Sequence, residues 1–127
     1  MDYFHRPATS TTPSINLNHL TGEFELKGRS LPDHAFEFYS EVFSWVDDYC
    51  RVPLKSTLLK ISLDFVNTSS SKCLVELCRK LGTCVDEHHD VKVEWYYEEN
   101  DDEMREMGED LAEILEISLV VKKMIGG

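Results

Sequence analysis

The chain has 127 residues, one domain's worth, enough to bury most of its apolar surface around a single core, and nothing in it suggests a second domain. Its 24 Asp and Glu against 13 Lys and Arg leave a formal net charge of −11, which repels phosphate backbones and anionic lipid, so no nucleic acid and no membrane partner is expected. No apolar run approaches the ~20 residues of a membrane span, and the opening MDYFHRPATSTTP lacks the basic-then-apolar order of a secretory signal, which predicts a cytoplasmic protein.

Residues 1–13 are polar, carry two prolines and show no period, so a mobile lead-in is expected before a single domain over 14–124. From Ser14, Ile15 and Leu17 alternate with Asn16 and Asn18. Leu20-Thr21-Gly22 then supplies a turn, and Phe24 and Leu26 alternate with Glu23, Glu25 and Lys27, a hairpin pattern. Pro32 and Asp33 are placed to start a helix whose apolar positions 35, 36, 39, 42, 43, 46 and 49 share a face. Phe38 and Trp45 widen that face to roughly half the circumference, by dense packing or as a docking edge, and packing is the simpler account.

Residues 56–67 read as a strand with Leu59, Ile61, Leu63 and Phe65 on one side. A helix over about 69–87 is expected to bury Leu74, Leu77, Cys78, Leu81 and Val85. DVKVEWYYEEN alternates as a strand. DDEMREMGEDLAEILE carries helical spacing behind an acidic first turn that suits the helix dipole, and ISLVVKKM closes the domain as a strand. Cys50, Cys73, Cys78 and Cys84 contain no C-x-x-C pair and are expected to be reduced, packed as small apolar residues. The order β-β-α-β-α-β-α-β predicts a mixed, mostly parallel α/β sheet of about five strands. Clean alternation in each strand places about three helices mainly on one face and leaves no deep pocket.

Chemistry concentrates at NTSSSK, residues 67–72, where a strand passes into a helix. Hydroxyl and amide side chains cap helices by accepting from free backbone N–H groups, which accounts for one or two of these residues but does not need four hydroxyls. The carboxyl end of a parallel strand is also where α/β proteins place functional groups, and a helix N-terminus accommodates phosphate, so capping and a phosphorylation switch both fit. A nucleophilic serine is disfavoured, because there is no G-x-S-x-G elbow and no nearby histidine. Two metal candidates compete weakly: the acidic run 98–103, which lacks calcium-loop spacing, and Cys84 with His88 and His89, which lacks a fourth ligand.

GRSLPDHAFEFYSEVFSWVDDY, LDFVNTSSSK and VEWYYEENDDEMREMGEDLAE, in this order, together resemble the SiaC family of bacterial regulatory phosphoproteins; Thr12-Pro13 and Gly22 also fit, and the likeness runs from about 12 to 121. Leu31 before the proline and the basic, glycine-ended tail depart from it without touching the proposed switch. The resemblance implies a STAS-like fold, similar to anti-sigma factor antagonists, and a non-enzymatic protein whose phosphoacceptor falls on Thr68. It also implies a cognate protein kinase, a PP2C-type phosphatase, and a diguanylate cyclase bound and activated by the unphosphorylated form in cyclic di-GMP signalling that regulates biofilms. No cofactor, metal or catalytic residue is implied. Asn67, Thr68, Ser69, Ser70, Ser71, Lys72, Tyr96 and Tyr97 are the expected partner-binding residues, with Asp64, Glu98 and Glu99 flanking if the strands ending at 66 and 97 are neighbours. The alternative is a small metal-binding or hydrolytic enzyme using 98–103 with Cys84, His88 and His89.

Overall fold

The structure, a computed structural model, describes residues 2–124. Six strands, β1 (Phe4–Arg6), β2 (Ser14–Asn18), β3 (Glu23–Ser30), β4 (Ser56–Val66), β5 (Asp90–Tyr97) and β6 (Ser118–Lys123), lie in one sheet in chain order. The first three form an antiparallel meander, and β3 to β6 run parallel. The parallel strands are joined by α1 (Ala35–Tyr49), α2 (Thr68–Gly82) and α3 (Asp102–Ile114). Each crossover steps one strand in the same direction, so right-handed connections place all three helices on one face.

The core lies between that face and the helices. Ile15, Leu26, Ile61, Trp95 and Val121 pair in turn across the sheet, and Leu17, Phe24, Leu59, Val93 and Leu119 form a second row beside them. On α1, Ala35, Tyr39, Val42, Val46 and Tyr49 are buried, and Phe38 and Trp45 are half-buried against the core. Packing therefore absorbs most of the wide apolar arc, leaving Phe36 at 57% exposure. Trp95 is fully buried, worth about 1.5–3 kcal/mol for a large apolar side chain, and its indole N–H donates to the Met104 carbonyl at 2.8 Å, which ties β5 to α3.

The structure departs from the sequence pattern in four places. Residues 4–6 of the expected lead-in form β1, a three-residue strand too short to show alternation. It pairs with β2, and Arg6 meets Glu41 of α1. Phe65 is not in the core, because the ladder of β3 and β4 pairs Gly28 with Leu63 and then Arg29 with Phe65, leaving Asp64 as the extra residue of a bulge. That insertion turns Phe65 outward to 53% exposure, where the Arg29 guanidinium lies 5.1 Å from its ring centre. Gly28 opposite the bulge has φ +119, which a side chain would resist. Helix α2 ends at Gly82, short of 87, so Val85 is 46% exposed.

The fourth departure is a disulfide: Cys50, which caps α1, is joined to Cys84 beyond the end of α2, with Cα atoms 5.4 Å apart. Only Cys73 and Cys78 are free thiols, both buried. The pairing is invisible in spacing because it joins residues 34 apart that meet only when α1 packs beside α2.

Candidate functional site

Strand β4 ends at Val66, and the chain turns into α2 through Asn67, whose extended backbone (φ −77, ψ 168) makes it the N-cap. Its side chain is used at both ends: Oδ1 accepts from the Ser70 amide at 2.8 Å, and Nδ2 donates to the Pro32 carbonyl at 3.1 Å. The Asn67 amide donates to the Ser30 carbonyl at 3.0 Å. The turn is thereby fastened to the end of β3 by side chain and backbone together.

The four hydroxyls that follow have different fates. Ser70 is fully buried, and Ser30 Oγ donates to its Oγ at 2.8 Å. With the Ser30 proton committed there, the Tyr39 hydroxyl, 2.6 Å away, donates to Ser30, giving a closed chain from α1 through β3 to α2. Burial pushes the Tyr39 phenol up to about 12, so it remains a protonated donor. Ser71 is half-buried and donates back to the Thr68 carbonyl at 2.7 Å. Thr68 and Ser69 are exposed, as is Lys72.

Expecting Ser70 on a contact surface is thus corrected, since its hydroxyl faces inward. The sequence carried the signal: Ser70 stands four, seven and eleven residues before Leu74, Leu77 and Leu81, on the buried stripe of α2. Ser30 and Tyr39, the other members of the chain, lie 40 and 31 residues before Ser70, and no local pattern joins them to it.

The local charge is also distinctive. The first turn of α1 carries Glu37 and that of α3 carries Asp102 and Glu103, while the first turn of α2 has no acid. In a chain of net charge −11, the first turn of α2 is thus without an acid of its own to meet its dipole and free amides, the nearest acid in sequence being Asp64 of the preceding strand.

The expected flanking residues divide. β4 and β5 are parallel neighbours, and Asp64, Glu98 and Glu99 line one groove of about 690 Å³, floored by Phe65, Met104 and Met107. Tyr96 lies on the open face of the sheet, where its hydroxyl donates to Glu94 at 2.8 Å. Lys122 also donates to Glu94 and is the main reason its carboxyl is held below the usual range. Tyr97 is half-buried against the core. Neither tyrosine lines the groove with Asp64.

The residues of the alternative metal or hydrolytic reading do not converge. Cys84 is bonded to Cys50, and His88 and His89 fold onto Asp86, which accepts from the His88 amide at 2.7 Å and lies 2.8 Å from His89 Nδ1. Those two bonds, the His88 amide first, lower the Asp86 carboxyl below its ordinary value. The histidines precede β5 and the acidic run follows it, so eight strand residues, roughly 26 Å, separate the groups. Among the described residues no cluster of three or more His, Cys, Asp and Glu is arranged to hold a metal ion, and no helix is long and apolar enough to cross a membrane.

Comparison with known proteins agrees with this architecture. The model of the SiaC family of regulatory phosphoproteins matches residues 6–124. An uncharacterized protein of Pseudomonas aeruginosa (strain UCBPP-PA14) is 26% identical over 113 residues, which cover 89% of this chain and 90% of that protein. The crystal structure of apo-SiaC from Pseudomonas aeruginosa superposes with a TM-score of 0.86 at 24% identity, covering 96% of this chain and 99% of that one. SiaC from the same organism, in complex with the diguanylate cyclase SiaD that it activates, gives 0.87 at 23% identity, covering 95% and 99%. With a fold shared end to end and a family match spanning nearly its whole length, this chain belongs to the SiaC family of regulatory phosphoproteins.

Proposed function

We propose that the unmodified protein docks through the first turn of α2 on a diguanylate cyclase and activates it. Phosphorylation of Thr68 by a cognate kinase releases the cyclase, and a PP2C-type phosphatase resets the switch. The observation that carries this reading is the exposed Thr68 at a helix start with no acid in its first turn, while Ser70 two residues on is sealed in the core. The relative from Pseudomonas aeruginosa that activates SiaD supports the choice of partner. The protein acts by binding in the cytoplasm, with no catalytic step of its own.

The physics of the switch is local. Unmodified, the turn presents neutral hydroxyls that a partner can cover at small desolvation cost. Phosphate adds a charge of about −1.5 to −2 that keeps its water unless the partner supplies cations, and it leaves α2 itself undisturbed because free amides face it. Asn67, Ser69, Ser71 and Lys72 frame the contact, and the groove floored by Phe65 continues it.

Capture of the cyclase by four forms of the protein tests the reading: unmodified, phosphorylated, Thr68→Ala and Thr68→Glu. Unmodified and Thr68→Ala proteins should bind alike, with only Thr68→Ala refractory to the kinase. Phosphorylated and Thr68→Glu proteins should bind about tenfold or more weakly. Equal capture of all four refutes it.

A further inference from the structure

We propose that the buried hydroxyl chain Tyr39–Ser30–Ser70 is a positioning device that turns Thr68 outward as the phosphoacceptor in preference to the serines beside it. This rests on the assignment of Thr68 as the switch.

The geometry is that of a key in a slot. Ser70 is the third residue of α2, fully buried, and fixed from below by Ser30 at 2.8 Å, which is itself held by Tyr39 at 2.6 Å. At about 100° per residue, anchoring Ser70 inward places Thr68 about 200° around the helix, nearly opposite the anchor, with Ser69 and Ser71 on the flanks. Thr68 is therefore the most outward of the four, and Ser71 is further occupied by its bond to the Thr68 carbonyl. Asn67 fixes where the helix begins and the buried stripe of Leu74, Leu77 and Leu81 sets its rotation, while the hydroxyl chain holds the first turn in that rotation by joining Ser70 to β3 and α1.

In the transfer itself Thr68 Oγ1 attacks the γ-phosphorus of a nucleoside triphosphate. The new O–P bond forms as the bond to the β-phosphate oxygen breaks, the diphosphate leaves, and the hydroxyl proton passes to a base on the kinase. In-line attack of this kind is sensitive to the direction in which the hydroxyl is held.

Ser30→Ala removes both links and Tyr39→Phe only the one to α1, each by taking away a single hydroxyl. Tyr49→Phe is the control, because Tyr49 makes an equivalent buried pair with Thr57 at 2.7 Å at the other end of α1. Two measurements are made on each: amide hydrogen exchange at Ser70 and Ser71, whose amides are bonded to Asn67, and kinase turnover with the phosphorylated position mapped by fragmentation mass spectrometry. In Ser30→Ala, and to a lesser degree in Tyr39→Phe, exchange at Ser70 and Ser71 should rise, on the order of tenfold in Ser30→Ala. The kcat at Thr68 should fall by on the order of tenfold with KM held within about twofold, and phosphate should spread to Ser69 and Ser71. The control should match the wild type in both. If either measurement leaves Ser30→Ala at the level of the control, the device is overturned. A wild-type protein that takes its phosphate on Ser69 instead of Thr68 counts against the proposed function, and is recognised without reference to the variants.

Discussion

Phosphorylation of Thr68 should stabilise the fold while it abolishes partner binding, and the size of the gain follows from the site. Thr68 is the first residue of α2, and the first turn holds no competing acid. A negative charge there interacts favourably with the helix dipole and free amides by about 0.3–1 kcal/mol at an exposed position. Lys72 lies four residues on, exposed and correctly oriented for an i,i+4 pair, which adds about 0.2–0.5 kcal/mol. The acids of the adjoining groove, with Asp64 the nearest in sequence, oppose this, whereas charge beyond about 8 Å is largely screened at physiological salt. A gain of at most about 0.5–1.5 kcal/mol over an unfolding entropy of about 0.27 kcal/mol/K for a chain this long raises Tm by no more than about 2–6 °C. Thermal melts followed by circular dichroism, at low and at 0.5 M salt, provide the assay. The shift should shrink in high salt, and Lys72→Ala should remove part of it. A phosphorylated protein melting below the unmodified one at low salt would show that the dianion meets unrelieved repulsion, and the account of α2 as an anion-ready helix start would fail.

Three further outcomes are expected. Gly108→Ala places a methyl group within the Trp95 indole, and overpacking of about 3 kcal/mol against a helix-propensity gain of about 1 kcal/mol should lower the urea midpoint without changing the m-value. Reduction of the Cys50–Cys84 bond, or Cys50→Ser, should cost up to about 4 kcal/mol for its 34-residue separation, read as a drop in urea midpoint on adding dithiothreitol. Alkaline conditions should also weaken the fold. Burial raises both the Tyr39 phenol, from 10.0, and the Cys78 thiol, from 9.0, to about 12, so above pH 9 the unfolded chain releases protons that the native state keeps. This stability is fully present below pH 9 and is lost progressively toward pH 12; urea titrations between pH 8 and 11 should show it, and Tyr39→Phe should flatten the slope above pH 10.

The SiaC likeness and the order of elements from β2 onward were legible because their signals are local. Alternation marks β2 to β5, the helical stripe marks α1 to α3, and Asn67 and Asp101 each sit where a cap is needed, accepting from the amides of Ser70 and Met104. The position of Thr68 at a strand-to-helix turn could be read the same way. Less legible was which hydroxyl the turn exposes, since that depends on Ser30 and Tyr39, which lie 40 and 31 residues before Ser70.

By itself, then, the amino-acid order determined what each segment becomes, because backbone preference, capping and hydrophobic period act between near neighbours. Register, burial at the seams and covalent pairing were decided only when the layers closed. The bulge at Asp64 that turns Phe65 outward, the sealing of Ser70 under α1 and the meeting of Cys50 with Cys84 each join residues distant in sequence. Contacts of that kind are fixed by how the sheet and helices pack against one another, which no local stretch of sequence encodes.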